Sequence, residues 1–294
     1  MKQLLILSGK GGTGKTTVAS AFIKLAEAKT YADCDVDAPN LHLITRHDTV
    51  PERKDYYGLP KAHIDPQVCV ECDLCRQHCQ FGAISVNDSY CVDQFACEGC
   101  AVCELVCPVG AVTLVPTVYG ELMLYKDVDK VFSTAELKMG SGMSGMLVAE
   151  VKKQMKDAAV HKKSAIIDGS PGIGCPVIAS LSGVDTVLVV TEPSISGISD
   201  MERVIDTALK FGTKVAVCVN KADANPELTE QIELFCEKEG LVFVGKIPYD
   251  PEAVRAINTG QSIVEIDCVS GTAVRDVYSK TMALLFNQEG DTDQ

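Results

Sequence analysis

The chain has 294 residues, enough for one large domain or two ordinary ones, and its 46% apolar and 23% charged residues are those of a globular protein. A net charge of −13 excludes a basic nucleic-acid-binding surface and argues against an anionic membrane as partner, and no apolar run is long enough to span a bilayer. Fourteen cysteines in a chain of cytoplasmic type point to metal ligation before disulfides. The apolar start, Leu4 to Leu7, is too short for a signal peptide, and the polar, acidic end, 287–294, is unlike a basic membrane anchor.

Leu4 to Leu7 reads as a buried parallel strand, and Thr16 to Ala28 as a helix with Val18, Phe22, Leu25 and Ala26 at helical spacing. Between them lies Gly9-x-x-x-x-Gly14-Lys15-Thr16, a complete phosphate-binding loop. Free N–H groups and the helix dipole favour a phosphate there. Gly11, Gly12, Thr13, Gly14, Lys15, Thr16 and Thr17 are the expected nucleotide contacts, with Lys15 on the β/γ-phosphates and the Thr16 hydroxyl on Mg²⁺.

Lys10 is a second lysine within this loop, and general loop chemistry does not require it. With it the sequence resembles the deviant Walker A ATPases: MinD, ParA, the Mrp/NBP-type cluster carriers and the nitrogenase iron protein. The resemblance implies that Lys10 reaches across an ATP-dependent homodimer to the partner's nucleotide; otherwise it is a solvated loop lysine. Next, Asp33, Asp35 and Asp37 alternate, so that they can share one face. In the resembling family this segment is switch I, which places the positioning of the attacking water on Asp35, with Asp33 and Asp37 as alternates.

From His63 to Val115 the chain changes character and holds nine cysteines. Cys69-x₂-Cys72-x₂-Cys75-x₃-Cys79 returns as Cys97-x₂-Cys100-x₂-Cys103-x₃-Cys107-Pro108, at a constant offset of 28. The repeat is similar to a two-cluster bacterial ferredoxin, in which the fourth cysteine of each motif serves the other cluster. That implies one [4Fe-4S] cluster on Cys69, Cys72, Cys75 and Cys107, and another on Cys97, Cys100, Cys103 and Cys79. A zinc site is the rival, but four ligands do not explain two interlocked sets of four. Gln80 replaces the usual proline after Cys79, and Cys91 has no slot and reads as a packed or loop thiol. With seven acids and one base, residues 63–115 carry −6, which suits an electropositive redox partner.

Beyond Pro116, Lys138 to Met146 reads as a flexible loop. A helix from Leu147 to Ala159 follows, with Lys152, Lys153 and Lys156 on a solvated face. Ser164 to Asp168 is a strand ending in a Walker B candidate, Asp168, for Mg²⁺. Gly169 to Pro176 resembles switch II, with the Gly172 N–H as a sensor of the γ-phosphate. Cys175 lies seven residues after Asp168, the interval of a bridging-cluster ligand in the nitrogenase iron protein, though a small buried thiol is the plainer reading. Strands follow at 187–190, 214–219 and 241–244. The family resemblance implies adenine contacts at Asn220 and Pro248, while Asp223 resembles a guanine-reading acid.

The expected fold is α/β: a doubly wound, mostly parallel P-loop NTPase sheet with an inserted α+β ferredoxin-like domain. Its parts are 1–62 and 116–294 for the ATPase and 63–115 for the insertion. Three functions compete: an ATPase, stimulated by dimerisation or a partner, that couples nucleotide state to electron transfer; an ATP-dependent cluster or metal-cofactor carrier; and a MinD/ParA-like positioning ATPase with structural clusters. The expected cofactors are two [4Fe-4S] clusters, ATP/ADP and Mg²⁺. The expected partners are a second copy and a redox or cluster-accepting protein, with no nucleic acid and no membrane.

Overall fold

The computed structural model describes residues 1–47, 49–161 and 163–287. Most of the acidic end considered above, 288–294, lies outside them. The strands are β1 (Lys2–Leu7), β2 (Thr30–Asp33), β3 (Glu52–Tyr57), β4 (Lys61–Ile64), β5 (Ile84–Val86), β6 (Tyr90–Val92), β7 (Val112–Val115), β8 (Val118–Lys126), β9 (Val131–Leu137), β10 (Ser164–Asp168), β11 (Thr186–Thr191), β12 (Lys214–Asn220) and β13 (Val242–Ile247). The chain divides into two compact units. The first comprises Met1–Arg53, Leu122–Glu136 and the chain from Ser144 onward; the second comprises Lys54–Glu121 and Leu137–Met143.

The large sheet has the order β13-β12-β11-β1-β10-β2-β9-β8-β3, and every neighbouring pair from β13 to β9 is parallel. Leu4 to Leu7 at its centre are fully buried, as a strand covered on both faces requires. The chain moves from β1 to β2 in one direction along the sheet and from β10 through β11 and β12 to β13 in the other. Right-handed crossovers therefore lay helices on opposite faces. The direction reverses between β1 and β10, and the cleft beyond their C-terminal ends is where such sheets bind ligands. Register aligns Ile6 with Asp168 and Asp168 with Asp33, so the two acids share one row at that edge.

On one face, Phe22 of the helix Lys15–Leu25 meets Tyr278 of the helix Val269–Phe286 edge to face, ring centres 5.2 Å apart. They sit over a core that includes Ile6, Leu188, Ala216 and Val244. The helix Ser144–Ala158 begins three residues before its expected start and buries Leu147, Val148, Val151 and Met155. Lys152 departs from the expected solvated face. It is 4% exposed and donates to the carbonyls of Ser180 and Ser182, at the end of the helix Cys175–Leu181. The terminal carbonyls of a helix lack intrahelical partners, and a lysine whose stem packs among apolar groups can supply one.

In the second unit β4 pairs with β7 and β5 with β6, both antiparallel. The unit is wider than 63–115. It takes in Gly58, where a Cβ would meet Met143 Sδ at 2.8 Å and the Tyr119 ring at 2.9 Å. The stretch expected as a flexible loop is divided: Met143 Sδ receives the Leu59 N–H at 3.3 Å, and the helix starts at Ser144. Among the described residues no helix is long and apolar enough to cross a membrane.

Candidate functional site

Gly14 sits in the left-handed region, φ 89°, as the last residue before the helix Lys15–Leu25, and Gly12 is at φ 79°. A Cβ at Gly14 would lie 2.2 Å from Asn220 Nδ2, so the position excludes side chains twice over. Lys15 and Thr16 open the helix and both reach Asp168. The Lys15 ammonium is 2.6 Å from Oδ1, and the Thr16 hydroxyl donates to Oδ2 at 2.6 Å. Asp168 is fully buried and Lys15 is 6% exposed. Burial works against the lysine's charge, but Asp168, Asp33 and Asp35 outweigh it and hold the ammonium above the usual lysine range. Among the described residues the buried Thr13 hydroxyl of the same loop has no hydrogen-bond partner, and a buried hydroxyl calls for one.

The three alternating acids separate in role. Asp33 is buried and accepts the N–H groups of Asp35, Asn40 and Leu41, each at 3.0 Å, so it braces the turn that follows β2. Burial and then Asp168 push its carboxyl well above the usual carboxylate range. Asp35 is half-buried beside Lys15, and burial pushes it up as well. Asp37 is exposed. The Gly172 N–H donates to the Ser8 carbonyl at 2.9 Å, which joins the 169–174 stretch to the end of β1.

Lys10 is held within the chain. Its ammonium is 2.6 Å from Glu192 Oε1, and it donates to Ser194 and Ser196 at 3.2 and 3.0 Å. Asn220 donates to the Thr13 carbonyl at 2.7 Å. With Gly12, Thr17 and Pro248 it lines a cavity of about 240 Å³. Lys221 and Tyr249 share this lining and carry no sequence signal beyond lying next to expected residues. Asp223 accepts the Tyr249 N–H at 2.6 Å, so this carboxylate already braces the loop at 248–250.

In the second unit, Cys69, Cys72, Cys75 and Cys107 line one small cavity. Cys79, Cys97, Cys100 and Cys103 line another. The backbone repeats with the sequence: Glu71 and Gly99, Asp73 and Ala101, and Gly82 and Gly110 are left-handed pairs at the offset of 28. Each fourth cysteine receives an N–H at sulfur, from Ala83 to Cys79 at 3.4 Å and from Ala111 to Cys107 at 3.2 Å. Gln80 in place of proline thus leaves its turn like that at Pro108. Burial pushes the Cys75 and Cys103 thiols up. At Cys107 burial is outweighed by the N–H groups of residues 109–112, which hold the thiol below its ordinary range.

Among the described residues no group of three or more His, Cys, Asp or Glu stands ready for a single metal ion. A cubane differs, because its ligands sit at the corners of a cage and need not meet at one point. Four cysteines around an apolar-walled space fit that donor set. Cys91 is exposed on β6, its sulfur 3.8 Å from the Ser89 hydroxyl, and lines neither cavity. Cys175 is exposed, not a small buried thiol, because it opens the helix Cys175–Leu181 at the loop end.

A family model described as the CobQ/CobB/MinD/ParA nucleotide binding domain matches residues 4–263. An uncharacterized protein of Methanocaldococcus jannaschii is 29% identical over 286 residues, 95% of each chain. A Pyrococcus furiosus protein named iron-sulfur cluster carrier protein is 23% identical over 308 residues, 98% of this chain and 88% of its own. The solved structure of the Pyrococcus furiosus cell division ATPase MinD aligns at 19% identity with a TM-score of 0.57, over 96% of this chain and 99% of that one, a likeness of fold alone.

Proposed function

The chain belongs to the CobQ/CobB/MinD/ParA family of nucleotide-binding P-loop proteins, and from that premise we propose that it hydrolyses ATP and couples its nucleotide state to electron transfer through two [4Fe-4S] clusters. The observation that carries this reading is the sorting of eight cysteines into two cavities, four to each, with the fourth cysteine of each motif in the other motif's cavity. A single zinc site has no use for that exchange.

On this reading Lys15 leaves Asp168 for the β/γ-phosphates, and Thr16 and Asp168 hold Mg²⁺. Asp35 orients the attacking water. Asn220 and Pro248 flank the base. Gly172 exchanges the Ser8 carbonyl for the γ-phosphate. Lys10 exchanges Glu192 for the nucleotide of a second copy, so hydrolysis requires the dimer. When bound, the clusters supply one-electron storage at each cysteine site.

Anaerobic preparation with iron supplied is expected to give a brown protein with about eight irons per chain. Its ATP hydrolysis should be lost in Lys15→Ala, and its cluster reduction rate should depend on nucleotide. Zinc as the sole metal bound under those conditions would refute the cluster reading. The cluster-carrier reading is favoured by one relative's name and by the exposure of Cys72 and Cys100. Under it, iron leaves for an apo-ferredoxin when ATP is added; under electron transfer, iron stays.

A further inference from the structure

Residues 61–86 and 89–114 repeat at the offset of 28 in sequence and in pairing: Ile64 is opposite Val112 in β4–β7 as Val92 is opposite Ile84 in β5–β6. Asp65 donates its N–H to the Ala111 carbonyl as Asp93 does to that of Ala83. At one position the halves differ by a buried charge. Lys61 opens β4 and is 9% exposed. Its ammonium donates to the backbone carbonyl of Cys97 and stands 5.1 Å from the centre of the Tyr119 ring. Cys97 is itself buried and lines the cavity it shares with Cys79, Cys100 and Cys103. The loop lies close against this segment: a Cβ at Gly99 would lie 2.3 Å from the Pro60 carbonyl.

The offset carries Lys61 to Ser89. Ser89 bears no charge, and its hydroxyl lies beside Cys91. Other charges do not reverse this difference. Asp73, at the first cavity, is paired with Arg76 through two hydrogen bonds of 2.6 Å and also receives the Tyr90 hydroxyl. Glu98, at the second cavity, is exposed and screened by water and salt, whereas the buried Lys61 is not. A fixed cation in low-dielectric surroundings stabilises the more negative state of a neighbouring redox group.

We propose that Lys61 sets the two cysteine sites apart in reduction potential, so that a single electron entering this unit rests at the site of Cys79, Cys97, Cys100 and Cys103. The assignment rests on the reading of both sites as [4Fe-4S] sites.

The test is a potentiometric titration followed by electron paramagnetic resonance on the anaerobically reconstituted full chain, with iron measured in every sample. Wild type gives two resolved one-electron steps. Lys61→Met, which keeps an unbranched apolar stem and removes the charge, lowers the higher step and leaves the lower one in place. At a fixed poise the reduced-to-oxidised ratio of that site falls about tenfold, 59 mV for one electron. Lys61→Arg retains the wild-type separation. Ser89→Lys, on a partly exposed residue, raises the lower step and gives a second measurement if Lys61→Met folds poorly. Unresolved wild-type steps, a higher step unmoved in Lys61→Met, or a lower step unmoved in Ser89→Lys, each at about eight irons per chain, overturn the role of Lys61 and leave the cluster reading standing. Wild type without cubane iron overturns both.

Discussion

Lys15 and Asp168 form a buried ion pair with one partner fully enclosed, so removing either charge alone strands the other. Truncating one member of such a pair costs about 3–5 kcal/mol, whereas removing both often costs far less. Lys15→Ala should therefore lower the stability of the nucleotide-free chain as well as abolish nucleotide binding. Lys15→Ala combined with Asp168→Ala should recover most of the stability and none of the binding. Denaturant midpoints for the double-mutant cycle check this, and additive losses would count against the pair. Lys152 gives a prediction of a different sign. Burial, opposed by Cys34 and assisted by Lys156, pushes its amine down to about 8. The unfolded lysine holds its proton to about 10.4. Between those values the unfolded chain binds more protons, so folding stability rises with pH across the window and the penalty is largest below it. The advantage of wild type over Lys152→Met should grow from pH 8 to pH 10, by on the order of 3 kcal/mol at most; parallel stability profiles would show that the amine is not perturbed.

The strand, glycine loop and helix at the N-terminus form as their residues dictate, because Gly12 and Gly14 alone among common residues take those φ values without strain. Gly14→Ala should abolish nucleotide binding, measured by calorimetry. Asn220→Ala in the same chain relieves the 2.2 Å overlap but not the backbone cost of about 1–2 kcal/mol, and it gives up the proposed contact to the base, so binding should return only in part. Full recovery would show that the overlap was the sole obstacle. The elements legible in the sequence share this character: local chemistry specifies them. The strand ending at Asp168, the phosphate loop and the cysteine spacing each carry a signal within a few residues. What stayed hidden depends on distant partners. Lys152 read as solvated because its neighbours on the helix are charged; only the carbonyls of Ser180 and Ser182, far along the chain, explain its burial. The second compact unit extends past 63–115 because Gly58, Tyr119 and Met143 meet through space with no periodic pattern. The clasp of Glu192, Ser194 and Ser196 on Lys10 is likewise invisible in the sequence, since about 180 residues separate them from it.

At the scale of the whole molecule, the chain passes between its two units at 53/54, 121/122, 136/137 and 143/144. The last passage gives a route for coupling that uses only the covalent chain and contacts within the first unit. The stretch 169–174 runs directly into the helix Cys175–Leu181, whose terminal carbonyls are held by Lys152. Lys152 belongs to the helix Ser144–Ala158, and residue 143 ahead of that helix is already part of the second unit. On the proposed reading, a γ-phosphate that draws the Gly172 N–H from the Ser8 carbonyl would act on this helix pair, and from it on the chain that enters the second unit at 143/144. If ATP changes the potential of either cysteine site by about 30 mV per electron, that is roughly 0.7 kcal/mol, and reduction must change ATP affinity by about threefold, because binding linkage is reciprocal. The measurement is a titration of the clusters with no nucleotide, with ADP and with a non-hydrolysable ATP analogue, beside ATP binding to oxidised and reduced protein. Lys152→Met should bring both shifts toward zero while nucleotide affinity in the oxidised state changes little, since Lys152 touches neither the phosphate loop nor a cysteine site. Shifts that survive in Lys152→Met would place the coupling on another of the four passages. Identical potentials and affinities in wild type, with electron- and cluster-transfer rates indifferent to nucleotide, would leave the cysteine unit as a brace for the fold and the ATPase as an independent machine.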